Sequence, residues 1–281
     1  MFFNTILSTR DLMEHLDDPG WLLFDCRTDL ANPDWGFSEY RKSHIPRAIY
    51  ADLNRDLSSP RTEKSGRHPL PDPAEWMKTL SRWGVTADKQ VVLYDTTSGS
   101  FAVRMWWMLR WVGHSSAAVL DGGLPLWVQE GRPVEVGIAH GQPAVFHGQV
   151  HNEMAALAGE VDRIRSDPGF VLLDARAPIR YRGEVEPIDP VAGRIPGALN
   201  RYHEENLGAD GKMLPPETLR EQYARLLHGV DPSRTVVYCG SGVTSCHNIL
   251  AMEIAGLPGA RLYPGSWSEW IRDPNHPVAK G

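Results

Sequence analysis

The chain is short of cysteine, with three in 281 residues. So sparse and odd a set cannot frame the fold with disulfides, and a reducing compartment is expected. Long apolar runs are missing as well. No stretch approaches the roughly 20 residues that a membrane helix needs. The opening Met1-Phe2-Phe3-Asn4-Thr5-Ile6-Leu7-Ser8 lacks the basic region with which a signal peptide begins. A cytoplasmic protein with no membrane partner is the expectation. Positive charge is also scarce: 29 Lys and Arg stand against 35 Asp and Glu, a net charge of −6. That balance argues against nucleic acid or an anionic membrane surface as a partner. No metal site is expected either, because Cys239, Cys246 and His247 lack paired ligand spacing and a fourth ligand.

What the chain does have is an internal repeat. Trp21-Leu22-Leu23-Phe24-Asp25-Cys26-Arg27 returns as Phe170-Val171-Leu172-Leu173-Asp174-Ala175-Arg176. His44-Ile45-Pro46-Arg47-Ala48 returns as Arg194-Ile195-Pro196-Gly197-Ala198, and Gln90-Val91-Val92-Leu93-Tyr94-Asp95 as Arg234-Thr235-Val236-Val237-Tyr238-Cys239. Leu120-Asp121-Gly122-Gly123 with Trp127 returns as Leu262-Tyr263-Pro264-Gly265 with Trp270. The order is kept and only loops differ, so the chain is a duplicated domain. The spacing predicts a first domain over 1–135, a linker over 136–148 and a second domain over 149–281. Within each copy, β-branched apolar runs (21–25 and 91–95; 170–174 and 235–238) alternate with helical patterns at 101–111 and 247–255. Such strands belong to a largely parallel sheet with helices on both faces, an α/β fold. Trp106, Trp107 and Trp111 stand at helical spacing and read as core packing.

The stretch around Cys239 carries the chemistry. An apolar strand ends in the cysteine, the small residues Gly240, Ser241, Gly242, Val243, Thr244 and Ser245 follow, and a helical pattern runs on to a stop at Gly256. The first N–H groups of a helix lack intrahelical partners and its dipole is positive there. Glycines let the loop's N–H groups turn toward one point. A thiol in that cradle is expected to be a thiolate at neutral pH and a nucleophile. The first copy has Asp95 at the same place, in Tyr94-Asp95-Thr96-Thr97-Ser98-Gly99-Ser100, and an aspartate cannot do thiol chemistry. The first domain is therefore expected to be inactive and to line the cleft of the second. Cys246 reads as a buried small residue, with a resolving disulfide as the alternative, and Cys26 reads as core. A Cys-x5-Arg phosphatase loop would need an arginine where Ser245 stands, so the phosphate clamp is missing.

The loop Cys239-Gly240-Ser241-Gly242-Val243-Thr244 closely resembles the active-site loop of the 3-mercaptopyruvate sulfurtransferases of the rhodanese superfamily. The tandem copies, the two Ile-Pro turns (45–46 and 195–196) and Gly265-Ser266-Trp267-Ser268-Glu269-Trp270 match that family too. The resemblance implies two rhodanese-like domains and no cofactor. It also implies a Cys239 persulfide that takes a sulfane sulfur from a donor and passes it to cyanide, a thiol or thioredoxin. By the same resemblance Ser241 acts in catalysis with a histidine, matched by His68 in Gly66-Arg67-His68-Pro69, and with an acid. The simplest alignment puts Asn54 at the acidic position, leaving Asp52 and Asp56 as substitutes. Two arginines hold the donor in that family. Arg180 matches the first, the second falls at Asp189, and Arg182 or Arg194 is expected to take its place. Thiosulfate-selective members carry Arg and Lys just after the cysteine, where this chain has Gly240 and Ser241. Mercaptopyruvate is therefore the expected donor, with thiosulfate as the alternative and a non-catalytic persulfide carrier as a third reading.

Overall fold

A computed structural model describes residues 2–281. Two compact units divide it, and they do not split the chain at one place. The first takes the residues up to Ser59, Leu70–His151 and Ala209–Lys212; the second takes Pro60–Pro69, Asn152–Gly208 and Met213–Gly281. The expected linker, 136–148, holds no helix or strand. Its Ala144 and Phe146 N–H groups donate to the backbone and side chain of Ser81, and Phe146 is buried in the first unit.

The first unit contains the strands β1 (Ile6–Leu7), β2 (Trp21–Asp25), β3 (Ile49–Tyr50), β4 (Gln90–Tyr94) and β5 (Ala117–Leu120). They form one sheet in the order β1-β5-β4-β2-β3 with every pair parallel. Its helices are α1 (Thr9–Glu14), α2 (Trp35–Lys42), α3 (Pro73–Trp83), α4 (Ala102–Trp111) and α5 (Gly123–Gln129). The second unit repeats the plan. Its strands β6 (Val171–Asp174), β7 (Leu199–Asn200), β8 (Thr235–Tyr238) and β9 (Arg261–Leu262) lie in the order β7-β6-β8-β9, again parallel. A bridge from Ala155 to Leu262 stands where β1 pairs with β5 in the first unit. The helices are α6 (Ala158–Ile164), α7 (Pro178–Tyr181), α8 (Pro216–Leu227), α9 (Ser245–Ile254) and α10 (Ser266–Trp270).

The strands predicted from apolar runs appear within a residue of their expected ends, and physics explains why. Side chains alternate between sheet faces, so a central strand covered on both sides is apolar at every position. All of β4 and all of β8 are buried. On one face of the second sheet, Leu172, Val236 and Tyr238 pack with Val161 and Ile164 of α6 and with Trp267 and Trp270 of α10. The first sheet does the same with Leu23, Val92 and Tyr94 against Leu12 of α1 and Leu124 and Trp127 of α5. Trp106, Trp107 and Trp111 are buried in α4, Trp107 stacking on Trp111.

Repeated motifs of sequence become repeated interactions. Asp25 takes a fork from Arg27, and Asp174 takes the same fork from Arg176. Each arginine also donates to a backbone carbonyl, Ser43 in one copy and Gly193 in the other. The Ile45 and Ile195 N–H groups donate to the buried hydroxyls of Tyr94 and Tyr238. The Asp-x-Arg and Ile-Pro pieces thus fasten the loops to the ends of the central strands, and they are architecture in both copies.

Candidate active site

Cys239 follows directly on β8, at the carboxyl end of a central strand, where open parallel sheets present their sites. The loop after it is held by backbone contacts. Trp267 and Ser268 N–H groups donate to the carbonyls of Cys239 and Gly240, and the Cys239 N–H donates to Ser266 Oγ. Gly242 has φ +76°, and a Cβ there would lie 2.3 Å from the Pro264 carbonyl oxygen. Only glycine makes that turn without strain. The turn aims the Gly242 N–H at the cysteine, 3.2 Å from Sγ. Behind the loop α9 starts at Ser245 and ends in a paired 6→1 and 5→2 closure, with Leu257 N–H on the Met252 carbonyl and Gly256 N–H on Glu253.

Cys239 is 2% exposed. Burial by itself raises a thiol's pKa. Here the hydroxyls of Ser245 and Thr244 and the N–H groups of Ser241 and Ser245 outweigh burial and bring the Cys239 thiol below its ordinary range. The Ser245 hydroxyl is buried with no other hydrogen-bond partner, which leaves it to the sulfur. Cys26 is the counterexample. Burial and the charges of Asp25, Asp95 and Asp56 push its thiol well up. Cys246 is buried on α9 with Sγ 3.6 Å from the Gly242 carbonyl oxygen, and none of the three cysteines is in a disulfide. His247, next in the chain, is buried and hydrogen-bonds Asn206, which is in turn bound by Tyr223 and Arg201.

His68 and Ser241 meet: His68 Nδ1 lies 2.8 Å from Ser241 Oγ, both side chains buried. The pair exists because 60–69 folds with the second unit, anchored by the Arg67 N–H on Ser268 Oγ at 3.0 Å. Asp52 and Asp56 belong to the first unit and close a turn on each other. Asp52 Oδ1 accepts from the N–H groups of Asn54 and Arg55, and Asp56 Oδ2 accepts from the Asp52 N–H.

The arginines sort differently from expectation. Arg180, on α7, forks onto Glu186, with Nη2 at 2.6 Å and Nε at 3.1 Å, and reaches Asp189 at 3.4 Å. Arg182 is exposed and paired with Glu184. Arg194 lies over the Tyr181 ring and donates to the Gly281 carbonyl. Those two are engaged elsewhere, and this corrects the expectation that one of them stands in for an arginine at 189. Beside Gly240 the structure places Arg180 and Arg67. From the point where a Gly240 Cβ would be, Arg67 Nη2 is at 2.7 Å and Arg180 Nη2 at 3.6 Å. Buried Asp189 bridges them, with Oδ1 paired to Arg67 and Oδ2 facing Arg180. Burial pushes the Asp189 carboxyl up. Burial also acts on Glu186, but the hydrogen bond and charge of Arg180 hold its carboxyl below the usual range. Sequence reasoning passed over Arg67, Glu186 and the use of Asp189. The available signal was Arg67's place directly before His68.

With this geometry in view, the comparisons are specific. The model of the rhodanese-like domain matches twice, over residues 8–130 and 157–273. A Pseudomonas aeruginosa protein named "Probable 3-mercaptopyruvate sulfurtransferase" is 49% identical over 278 residues, covering 98% of each chain. The thiosulfate sulfurtransferase of Rattus norvegicus is 36% identical over 242 residues, covering 83% of this chain and 79% of its own. Among solved structures, the 3-mercaptopyruvate sulfurtransferase from Leishmania major superposes with a TM-score of 0.84 at 32% identity, covering 95% of this chain and 74% of its own. The chain belongs to the rhodanese family, and within it to the tandem-domain sulfurtransferases. Among the described residues no helix is long and apolar enough to cross a membrane.

Proposed function

We propose that the protein moves a sulfane sulfur from 3-mercaptopyruvate to a thiophilic acceptor through a persulfide on Cys239. The observation that carries this reading is the buried Cys239 sulfur, drawn below its ordinary pKa by loop N–H groups and hydroxyls. In the first half-reaction the thiolate attacks the donor's sulfur. The new S–S bond forms as the C–S bond breaks, and its electron pair passes to the carbon that becomes the methyl of pyruvate. That carbon takes a proton. The Ser241 hydroxyl, paired with His68, is the group that delivers it and is reloaded by the proton lost from the transferred sulfur. The persulfide anion then rests in the cradle that held the thiolate. In the second half-reaction cyanide, a small thiol or a thioredoxin-type dithiol takes the outer sulfur and Cys239 leaves as thiolate, which gives ping-pong kinetics. No step calls for a cofactor. Asp95 makes the first domain catalytically silent. Three cysteines outside any disulfide fit a reducing, cytoplasmic setting.

A second reading, thiosulfate as donor, has its own observation: two guanidinium groups beside Gly240 suit a dianion. Steady-state assays with 3-mercaptopyruvate and with thiosulfate, each with cyanide and with a thiol, separate the two, with Cys239→Ser as the blank. The expected result is preference for mercaptopyruvate, a persulfide mass on Cys239 after donor alone, and no turnover in the variant. Preference for thiosulfate moves the donor assignment to the second reading. A donor-loaded persulfide without turnover makes the protein a carrier, and turnover retained by Cys239→Ser overturns the nucleophile.

A further inference from the structure

We propose that Glu269 is a positioning residue of the sulfurtransferase site: bonded to Tyr263, it fixes the turn at 265–268 that holds the Cys239 loop and the His68 segment together. This rests on the sulfurtransferase reading above and adds to it a residue that acts through the backbone.

Two parts of the site are fastened to that turn. The Trp267 and Ser268 N–H groups donate to the Cys239 and Gly240 carbonyls, and Ser266 Oγ accepts from the Cys239 N–H. Ser268 Oγ also accepts from the N–H of Arg67, the residue before His68. Gly66 lies so close that a Cβ there would be 2.6 Å from the Gly265 carbonyl oxygen. A shift of the turn therefore moves both the loop that carries the sulfur and the segment that carries His68. Small misplacements of a nucleophile cost rate steeply.

Glu269 braces the turn. Its side chain folds back against Gly265, where a Cβ would overlap the carboxyl group. The Tyr263 hydroxyl is buried with no other hydrogen-bond partner, which leaves it to Glu269. Burial pushes the Glu269 carboxyl up, and the Tyr263 hydrogen bond and the charge of His276 act against that rise. Tyr263 follows β9, and its N–H donates to the Val237 carbonyl of β8. The carboxyl thus ties the turn to the strand that leads into Cys239.

The first repeat shows what packing alone requires here. Counted back from Trp127 and Trp270, Gly122 matches Gly265, Gly123 matches Ser266, Pro125 matches Ser268 and Leu126 matches Glu269. A Cβ at Gly122 would lie 2.6 Å from Leu126 Cδ2, so a leucine fills the place that the carboxyl fills in the second repeat. The Leu124 N–H still donates to the Asp95 carbonyl, as Trp267 does to Cys239. Leucine satisfies the fold; the carboxyl stands in the copy that carries the sulfur.

The test uses the full chain and three substitutions. Glu269→Leu gives the second turn the residue of the first. Glu269→Gln keeps an acceptor for the Tyr263 hydroxyl, and Tyr263→Phe removes the same bond from its other end. Each is read by turnover with 3-mercaptopyruvate, by the pH midpoint of Cys239 alkylation with iodoacetamide in the absence of donor, and by melting temperature. Glu269→Leu and Tyr263→Phe are expected to lower kcat about tenfold, on the scale of one hydrogen bond, with KM moved less than about threefold. They should also raise the Cys239 midpoint by about half a pH unit, as the loop's N–H groups and hydroxyls draw away from the sulfur. Glu269→Leu should melt within about 4 °C of wild type, because the space stays filled. Glu269→Gln is expected to recover most of kcat and of the midpoint. Unchanged kcat and midpoint in both Glu269→Leu and Tyr263→Phe overturn the assignment. So does a loss that Glu269→Gln shares in full, or one that falls on KM alone. A wild-type protein that transfers no sulfur, yet shows the raised midpoint in Glu269→Leu, overturns the sulfurtransferase reading and leaves Glu269 as the brace of a buried thiol.

Discussion

In the first repeat a carboxylate occupies the place that a sulfur holds in the second. Asp95 Oδ1 accepts from the N–H groups of Thr97 and Gly99, and Oδ2 from those of Phe101 and Ala102, all within 2.9 Å. Cys239 Sγ receives the Gly242 N–H and lies under the hydroxyls that open α9. Both loops leave the carboxyl end of a central parallel strand and run into a helix, and both gather backbone N–H groups round one side chain. The fold therefore builds an anion hole twice. In one copy the hole is filled by a carboxyl group from the chain itself. In the other it is held by a thiol whose pKa the same cradle lowers. The N–H cradle belongs to the architecture of both copies, and the two differ in the single residue set at its centre.

The sharpest way to break the comparison is to make the two loops alike. Cys239→Asp should abolish all turnover while the melting temperature stays at or above that of wild type, because the second hole accepts a carboxylate as the first does. A marked loss of thermal stability would show that the two holes are not equivalent. The converse change acts on stability. Asp95→Ala leaves the four N–H groups without their buried acceptor and should cost about 3 kcal/mol or more, read as a lower urea midpoint of the first unit. A change below about 1 kcal/mol would mean that water replaces the carboxylate without loss.

The smallest effect concerns proton uptake. The folded pKa of Cys239 lies below the unfolded value of about 8.5. Its thiolate therefore contributes stability that is fully present above about pH 8.5 and is lost as pH falls through the folded pKa. Iodoacetamide should modify Cys239 with a midpoint below about pH 8.5, while Cys26, whose thiol is pushed up, stays unmodified in the folded protein. A Cys239 midpoint at or above that pH would remove the distinction between the two buried cysteines.

The repeat, the strands and the reactive loop could all be read from the chain, because each is written in contiguous residues. Val236-Val237-Tyr238-Cys239 states its burial by composition, and Gly242 states its turn by the absence of a side chain. The arginine set could not be read that way. Arg67 and Asp189 are 122 positions apart, and His68 and Ser241 are 173 apart. No local period marks such partners. Resemblance pointed to His68, and the structure puts its ring beside Ser241. It missed Arg67 because it looked for a second arginine at 189 and met the aspartate that holds Arg67. Arg182 and Arg194 were attractive in sequence by their nearness to Arg180 and to the Ile-Pro turn. In three dimensions each answers to a local partner, Glu184 and the Tyr181 ring.

The ten residues from Pro60 to Pro69 lie midway along the first repeat and fold with the second unit. In terms of inheritance, this makes the second unit depend on a segment encoded within the first repeat. A gene trimmed to the second repeat would still encode the sulfur, its loop and its helix, and would have lost the histidine and the arginine that meet them. The second unit therefore cannot be cut from the chain at a single point without losing a decapeptide that folds with it.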